Sequence, residues 1–360
     1  MIGRALLIIF VALFVAGAAP APKVALAPSE IVAAAPAGDW VAIAAGDLLV
    51  MDLASGKRVV IQLMPPPFSQ GWVGNIRKLA AARFWDGTSI NRVQDNYVVQ
   101  WGDADGEDKV KAKGLPTGLS KVTMTLQPLS RPTRFPLFLK AGLQYNDVYA
   151  TPYDEAQFSR ILTNIGIENA VKPIFIGGSG GGISQTVTDP YARVYGWVRG
   201  MPLAVDMAYP DANSPEPRVS RPRQSWPVHC YGMVGVGRGM PPDTGTGAEL
   251  YTVIGHAPRH LDRNIALVGR VISGIEHLSS LPRGTGPLGF YEKPAERVTI
   301  TSIRIGTEVK DLPRFEYLST ETASFAAYAD ARANRRDPFF IVPAGGADIC
   351  NIPVPVRMMK

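Results

Sequence analysis

The stretch from Phe84 to Asp103, FWDGTSINRVQDNYVVQWGD, constrains the fold of this chain more than any other part of its sequence. It begins with an Asp86-Gly87 pair, which supplies the backbone conformations that tight turns need. A strand-like run from Thr88 to Val93 follows, then a polar turn at Asp95-Asn96, then a second run from Tyr97 to Gln100. Two short strands joined by a tight polar turn predict a β-hairpin.

This hairpin resembles the signature of the cyclophilins, in which a Y-D-G-T turn leads into F-H-R-V and then G-F-M-I-Q-G-G-D. Arg92, Gln100, Gly102 and Asp103 stand where the signature has its arginine, its glutamine, its final glycine and its aspartate. The signature histidine is replaced by Asn91. The resemblance therefore covers the polar residues of the signature, with one exception.

A second block resembles the cyclophilin core strands in the same order and at similar distances. Cys230 to Arg238 is similar to H-T-G-P-G-I-L-S-M-A-N, Ala248 to Val253 to S-Q-F-F-I, and His260 to Val271 to W-L-D-G-K-H-V-V-F-G-K-V. Near the start of the chain, Leu48 to Leu53 and Arg58 to Leu63 flank a glycine-containing turn and predict the opening hairpin of a barrel. We therefore expect a mainly β fold, a closed cyclophilin-like antiparallel β-barrel with flanking helices, a large irregular insertion and a C-terminal extension.

The chain order then predicts six segments. They are a signal peptide (1–19), an N-terminal arm (20–43), the first part of the barrel (44–103), an insertion (104–228), the second part of the barrel (229–307) and the C-terminal extension (308–360). Apolar periodicity predicts helices at Val73–Ala82, Gly274–Leu281 and about Thr320–Arg335, and one more at Asp154–Ile165 in the insertion. Residues 20–38, rich in alanine and proline, are expected to be a leader remnant or a loose arm, and the tail from Pro343 is expected to be irregular.

The first residues predict export. Arg4 is a short positive region, Ala5 to Val15 is an apolar run too short to span a bilayer, and Ala16-Gly17-Ala18 offers small residues for cleavage. The alternative is an uncleaved anchor. The rest of the sequence has no other long apolar segment, so we expect a soluble exported protein that does not bind a membrane after cleavage, which in a bacterium is periplasmic.

The cysteines, the histidines and the charge distribution bear on disulfide formation, metal binding and nucleic-acid binding. Cys230 and Cys350 are the only cysteines, and they either form one disulfide or remain separate buried thiols. Neither they nor the four histidines show metal-binding spacing, so no metal and no cofactor are expected. The net charge is +6, but the basic residues are scattered, which favours a solvated surface over nucleic-acid binding.

One motif within the insertion competes with this interpretation. Gly177 to Gly181 matches G-x-S-x-G, the turn that carries the nucleophile of α/β-hydrolases, with Ser179 at its centre. That motif requires a helix directly after the serine, whereas the residues from Gly182 to Pro190 are β-like and end in proline. A glycine-rich loop is therefore favoured, and the alternative is a serine hydrolase that uses Ser179.

The resemblance implies a peptidyl-prolyl cis-trans isomerase that binds proline-containing segments of exported proteins. It places Arg92 at the prolyl nitrogen and gives Gln100 the role of holding the substrate carbonyl or steadying Arg92. The substrate-binding residues that it implies are Tyr97, Val98, Gly237, Arg238, Glu249, Tyr251, His260, Leu261 and Ile265. The alternatives are a catalytically weak chaperone or binding module, and for Arg92 a structural role in bonding nearby carboxylates.

Two of these positions depart from the cyclophilin pattern in their chemistry. Glu249 replaces a glutamine, and Ile265 replaces a histidine. A carboxylate at Glu249 could pair with Arg92 and compete with substrate.

Overall fold

An eight-stranded antiparallel barrel is the centre of the computed structural model, which describes residues 24–122, 125–127, 144–146, 151–152, 192, 194–208 and 221–359. The helices are α1 (Pro28–Ala34), α2 (Gln70–Ala81), α3 (Glu276–Ser279) and α4 (Ala323–Ala333). The strands are β1 (Trp40–Ala42), β2 (Leu48–Leu53), β3 (Arg58–Leu63), β4 (Ser89–Val93), β5 (Val98–Gly102), β6 (Thr125–Gln127), β7 (Gln144–Asn146), β8 (Thr151–Pro152), β9 (Val194–Val198), β10 (Met201–Ala208), β11 (Arg221–Pro227), β12 (Met233–Val236), β13 (Leu250–Val253), β14 (Leu267–Ser273), β15 (Val298–Ile305), β16 (Phe315–Leu318) and β17 (Val356–Met358).

The barrel closes in the order β12-β13-β5-β4-β15-β2-β3-β14. Closure pairs every strand on both sides, so the barrel has no free edge. The two hairpins predicted from the sequence are both present, as β2 with β3 and as β4 with β5. Inward side chains such as Met51, Val59, Ile90 and Trp101 fill the interior and are almost fully buried. The predicted closed antiparallel barrel is therefore confirmed.

Helix α2 covers the barrel core with the face that the sequence predicts. Val73, Ile76, Leu79 and Ala80 are all buried in the core. Asn75, on the same helix, is also buried, and its side-chain amide donates hydrogen bonds to the backbone oxygens of residues 120 and 246. The helix therefore anchors two loops as well as covering the core.

The two ends of the chain are more ordered than the sequence suggests. Strand β1 pairs with β16, and β16 pairs with β17, so the N-terminal arm and the C-terminal tail belong to one three-stranded sheet. Helix α1 lies against α4. The expectation of a loose arm over residues 20–38 is wrong for Pro28–Ala34, which form a helix that packs on α4. The expectation of an irregular tail is wrong for Val356–Met358, because this short strand gains its order from pairing with β16 rather than from local sequence.

The C-terminal extension is also linked covalently to the barrel. Cys230, just before β12, forms a disulfide with Cys350, which resolves the alternative that the sequence leaves open. Helix α4 is present as predicted and buries Phe325, Tyr328 and Ala329. The ring of Phe325 contacts Trp197 of β9 edge-to-face, with ring centroids 5.1 Å apart.

Helix α3 is shorter than predicted. The expected helix from Gly274 to Leu281 is reduced to one turn at Glu276–Ser279, with Leu278 fully buried. Gly274 has a φ of +83°, and a Cβ there would clash with the backbone oxygen of Arg58. This close approach to β3 keeps Gly274 out of the helix.

The region between the two barrel blocks is described only in part. Strands β8, β11, β10 and β9 form a four-stranded sheet in that order, and β6 pairs with β7. The predicted helix at Asp154–Ile165 and the Ser179 motif lie outside the described residues, as does the segment 1–19. Within the described residues, no helix has the length and apolar character needed to cross a membrane.

Candidate active site

An irregularity in β4 determines which way Arg92 points. The register between β4 and β5 shifts between Ile90 and Arg92, so that Asn91 is an extra residue in the strand. Ile90 and Val93 both belong to the core cluster, although an unbroken strand would place residues three apart on opposite faces. The bulge therefore turns Arg92 to the outside of the barrel while its neighbours remain inside.

Register then aligns the candidate residues across four strands. Arg92 lies opposite Gln100, Gln100 opposite Tyr251, and Tyr251 opposite Gly235. On β5, Val99 and Trp101 enter the core, so the alternate residues Val98 and Gln100 lie on the outer face. Residues predicted from distant parts of the sequence thus meet in one row on the outer surface of the barrel.

The guanidinium of Arg92 is held by three oxygen atoms. Its Nη1 donates to Oε1 of Gln100 at 3.0 Å, its Nε donates to the backbone oxygen of Leu288 at 2.8 Å, and its Nη2 donates to Oε1 of Gln94. The rings of Tyr97 and Phe290 also contact it, with centroids 5.8 Å and 5.4 Å from Cζ. These contacts fix the position and plane of the charged group.

Arg92 has no carboxylate partner among the residues that the structure describes. Burial lowers the pKa of Arg92 from its ordinary value, an effect that the nearby Tyr97 opposes. An arginine remains charged in proteins, so this half-buried site contains a fixed positive charge with only neutral hydrogen-bond partners. The alternative of a structural arginine that bonds carboxylates does not fit these contacts.

A small apolar cluster adjoins Arg92 and is separate from the main core. Its buried members are Val98, Tyr251 and Val253, with Tyr97 and Ile265 packed against them. Because this cluster lies on the outer face of β5 and β13, it places apolar side chains beside the guanidinium, of which Tyr97 and Ile265 are partly exposed. Such a combination suits a ligand that has an apolar ring and a polar bond next to it.

The remaining predicted residues border this cluster to different degrees. His260 is exposed, and its ring stacks on Tyr97 with centroids 6.4 Å apart. Leu261 is half-buried, and its backbone oxygen accepts a hydrogen bond from the N–H of Ile265.

Residues 237 and 238 lie at the end of β12. The backbone N–H of Gly237 donates to the backbone oxygen of Glu249, so it is already occupied. The side chain of Arg238 turns to the backbone oxygen of Asn264, to which Nη2 donates at 3.0 Å. These two residues therefore lie at the edge of the row of candidate residues, and the side chain of Arg238 turns away from the apolar cluster.

Glu249 bonds Gln100 instead of Arg92. Its carboxyl accepts hydrogen bonds from the Gln100 side chain and the Asp103 backbone, and it lies so close to Gly102 that a Cβ there would clash with it. No ion pair between Glu249 and Arg92 occurs among the described residues. The sequence-based expectation of that pair is wrong, because Gln100 lies between the two groups and bonds both.

Burial raises the pKa of Glu249 to about 8, and the nearby carboxylates of Asp103 and Glu107 act in the same direction. An unfolded chain releases this proton near pH 4.5, so the folded state holds it more tightly. The stability that Glu249 contributes is full below about pH 4.5 and is lost as the pH rises toward about 8. We expect Glu249→Gln to flatten this dependence and to add about 1–3 kcal/mol to the free energy of unfolding at pH 8.

Urea unfolding at pH 5, 6.5 and 8 measures this effect. Glu292→Gln, at an exposed carboxylate, is the matched control and should leave the pH dependence unchanged. Parallel pH profiles for Glu249→Gln and the unaltered protein would show that Glu249 ionises normally in the folded state.

Three contacts of Arg92 were not predicted from the sequence. Gln94 follows the bulged strand, whereas Leu288 and Phe290 belong to a loop almost 200 residues away in sequence, with Arg92 and Leu288 separated by 196 positions. Leu288 has a φ of +57°, and Gly289 has a φ of +82°. No motif marks this loop, and only the fold places it beside Arg92.

Comparisons with known proteins agree with this architecture. A crystal structure of a cyclophilin from Hirschia baltica matches with a TM-score of 0.53 and 19% identity, covering 89% of this chain and 94% of that one. The chain has a cyclophilin fold. No family model matches the sequence, and no curated protein matches it.

A second cyclophilin-type structure is more distantly similar. It is a peptidyl-prolyl cis-trans isomerase from Cryptosporidium parvum, solved in the presence of the dipeptide Ala-Pro, with a TM-score of 0.34 and 12% identity over 72% of this chain and 98% of that one. The cyclophilin fold of this chain rests on the match to the Hirschia protein.

Proposed function

We propose that this chain is a peptidyl-prolyl cis-trans isomerase that assists the folding of exported proteins. The peptide bond before proline isomerises slowly because its partial double bond must be broken, at a barrier of about 18–20 kcal/mol. A catalyst needs no covalent step and needs only to bind the twisted bond better than either planar form.

The observation that supports this proposal is a fixed guanidinium beside a separate apolar cluster. Each terminal nitrogen of Arg92 carries two N–H groups, and one of each pair bonds Gln100 or Gln94. The second N–H on each nitrogen can donate to a substrate. When the bond twists, resonance is lost and the prolyl nitrogen regains a lone pair, which accepts such a donor. The cation therefore stabilises the twisted form more than the planar forms.

The apolar cluster would hold the proline ring. Tyr97 and Ile265 are its partly exposed members, and Val98, Tyr251 and Val253 are buried beside them. Such an apolar site reduces solvation of the amide, which favours the twisted, less polar bond. Gln100 would orient Arg92 through the bond at 3.0 Å and would in turn be oriented by Glu249.

We also propose that the protein acts outside the cytoplasm, in a bacterium in the periplasm. Residues 1–19 have the charge, apolar run and small residues of a signal peptide. The Cys230–Cys350 disulfide supports the same compartment, because disulfides persist mainly in oxidising surroundings. N-terminal sequencing of protein recovered from the periplasmic fraction tests this proposal. Recovery of the protein in the cytoplasmic fraction with Met1 intact would contradict it, whereas an intact N-terminus in the membrane fraction would support the uncleaved anchor.

Protease-coupled isomerisation of an Ala-Pro-Phe anilide tests the activity. We expect catalytic amounts of protein to accelerate the slow phase. A folded protein that binds the peptide without accelerating isomerisation would instead be a binding module. Labelling of Ser179 by a serine-directed probe would support the hydrolase alternative.

Phe290 gives a smaller, specific prediction. Phe290→Ala removes one of the two rings that contact Arg92, and a cation–π contact is worth about 0.5–1 kcal/mol at an exposed site. We expect kcat/KM to fall about threefold, with Phe290→Leu in between because it retains apolar contact. Phe339→Ala, at a ring that is 84% exposed, is the control and should have no effect. Equal kcat/KM for Phe290→Ala and this control would rule out the contribution of the ring.

A further inference from the structure

A chain of buried polar groups extends from the apolar cluster into the protein. The hydroxyl of Tyr251 lies 2.8 Å from Nε2 of His229, and Nδ1 of His229 lies 2.9 Å from Oδ1 of Asp262. The other carboxylate oxygen of Asp262 accepts from Nε of Arg259 at 2.6 Å. His229 is fully buried, and Asp262, Arg259 and Tyr251 are nearly so.

The partners determine the direction of each hydrogen bond. Burial would raise the pKa of Asp262, but the bonds from His229 and Arg259 hold it below its ordinary value, so Asp262 is a carboxylate. A carboxylate accepts, which places the proton of His229 on Nδ1. Burial lowers the pKa of His229, so the ring is neutral and its Nε2 has a lone pair. The Tyr251 hydroxyl therefore donates to His229.

The backbone of Gly235 confines the ring of Tyr251. Gly235 lies opposite Tyr251 in the register of β12 and β13, and a Cβ at Gly235 would clash with the ring and its oxygen. The His229 ring lies nearly parallel to that of Tyr251, with centroids 6.3 Å apart and planes at 12°. The ring of Tyr251 thus lies across Gly235, and its hydroxyl is held by the hydrogen bond to His229.

The C-terminal extension supports the inner end of the network. Nη1 of Arg259 lies 3.6 Å from a carboxylate oxygen of Asp348, two residues before Cys350. Cys350 is bonded to Cys230, the residue directly after His229. A buried ionic group is costly unless every partner is in place, and here the extension helps to supply them.

We propose that His229 and Asp262 are positioning residues that fix the Tyr251 ring as the floor of the proline site. This inference rests on the proposed isomerase function. Apolar packing alone would be supplied by a phenylalanine, whereas a bonded hydroxyl sets one orientation of the ring. The orientation determines how closely the proline ring can approach the guanidinium of Arg92.

Three variants separate positioning from simple stability. Tyr251→Phe removes the donor. His229→Asn retains an amide that can donate to Asp262 but is too short to reach Tyr251, and His229→Gln retains an oxygen that can accept from Tyr251. We expect Tyr251→Phe and His229→Asn each to raise the Kd for an Ala-Pro peptide about three- to tenfold, the range of one hydrogen bond. His229→Gln should restore much of the affinity.

The double variant Tyr251→Phe/His229→Asn gives the decisive comparison. Because both changes break the same bond, we expect its Kd to match that of the single variants rather than the product of their effects. NMR of the Tyr251 ring in His229→Asn, which retains the tyrosine, provides a readout without substrate, since loss of the bond should speed the flipping of that ring. Wild-type Kd in variants that have faster ring flipping, or multiplicative effects, would overturn the inference. Absence of peptide binding by the unaltered protein would instead overturn the proposed function.

Discussion

Replacing Arg92 with alanine is expected to lower kcat/KM for X-Pro isomerisation by about a hundredfold to a thousandfold, the loss seen when one preorganised donor to a developing charge is removed. The guanidinium is held in place before substrate arrives, by Gln94, Gln100 and the backbone oxygen of Leu288. Alanine removes the donors to the prolyl nitrogen and leaves the apolar cluster intact, so peptide binding should change much less than turnover.

Arg92→Lys is the matched variant that separates the effect of charge from the effect of the guanidinium geometry. It retains a charge but lacks the planar fork that bonds Gln100 and Leu288 while still donating to substrate. We expect Arg92→Lys to recover only a small part of the lost activity. Arg314→Ala, at an exposed arginine, is the control and should have wild-type kcat/KM. If Arg92→Ala folded normally and retained full activity, the arginine would have no catalytic role.

Removing the Cys230–Cys350 disulfide is expected to lower the free energy of unfolding by about 2–5 kcal/mol. The bond joins residues 120 positions apart, and a cross-link over so long a segment removes much of the freedom of the unfolded chain. Ile349 and Ile352, on either side of Cys350, are buried, so loss of the bond also weakens the docking of the extension.

Urea unfolding of Cys230→Ser/Cys350→Ser measures this loss, and wild-type protein treated with a reductant gives a comparison without any substitution. Both should unfold at a lower urea concentration than the oxidised protein and at similar midpoints to each other. The reductant should not shift the midpoint of the double serine variant, which serves as its control. Unchanged midpoints in every case would mean that the extension is held by packing alone.

The sequence predicted the barrel well because local pattern and register determine it. The hairpin of β2 and β3 begins and ends at the predicted residues, and the hairpin of β4 and β5 lies within one or two residues of its predicted bounds. The resemblance assigned Val98 and Gln100 to the site, and the structure places both on the face of β5 opposite to Trp101. These features depend on neighbours in sequence.

The parts that sequence did not predict depend on distant contacts. Phe290 meets Arg92 only because a loop without any motif folds back over β4. His229 and Tyr251 lie 22 residues apart, and neither position alone predicts a hydrogen bond between them. Charge alone suggested that Glu249 could form an ion pair with Arg92. It gave no sign that Gln100 would lie between the two groups and bond both. In each of these contacts, the three-dimensional placement of the residues determines the partner, and residue type alone does not predict it.

The most direct test of the central claim is NMR exchange between the cis and trans forms of an unmodified Ala-Pro peptide, with the full chain present in catalytic amounts. Uncatalysed exchange takes tens of seconds and gives no exchange cross-peaks on the NMR timescale. We predict cross-peaks between the two forms with the unaltered protein and none with Arg92→Ala. A folded, unaltered protein that leaves the two forms without exchange would contradict the proposed isomerase.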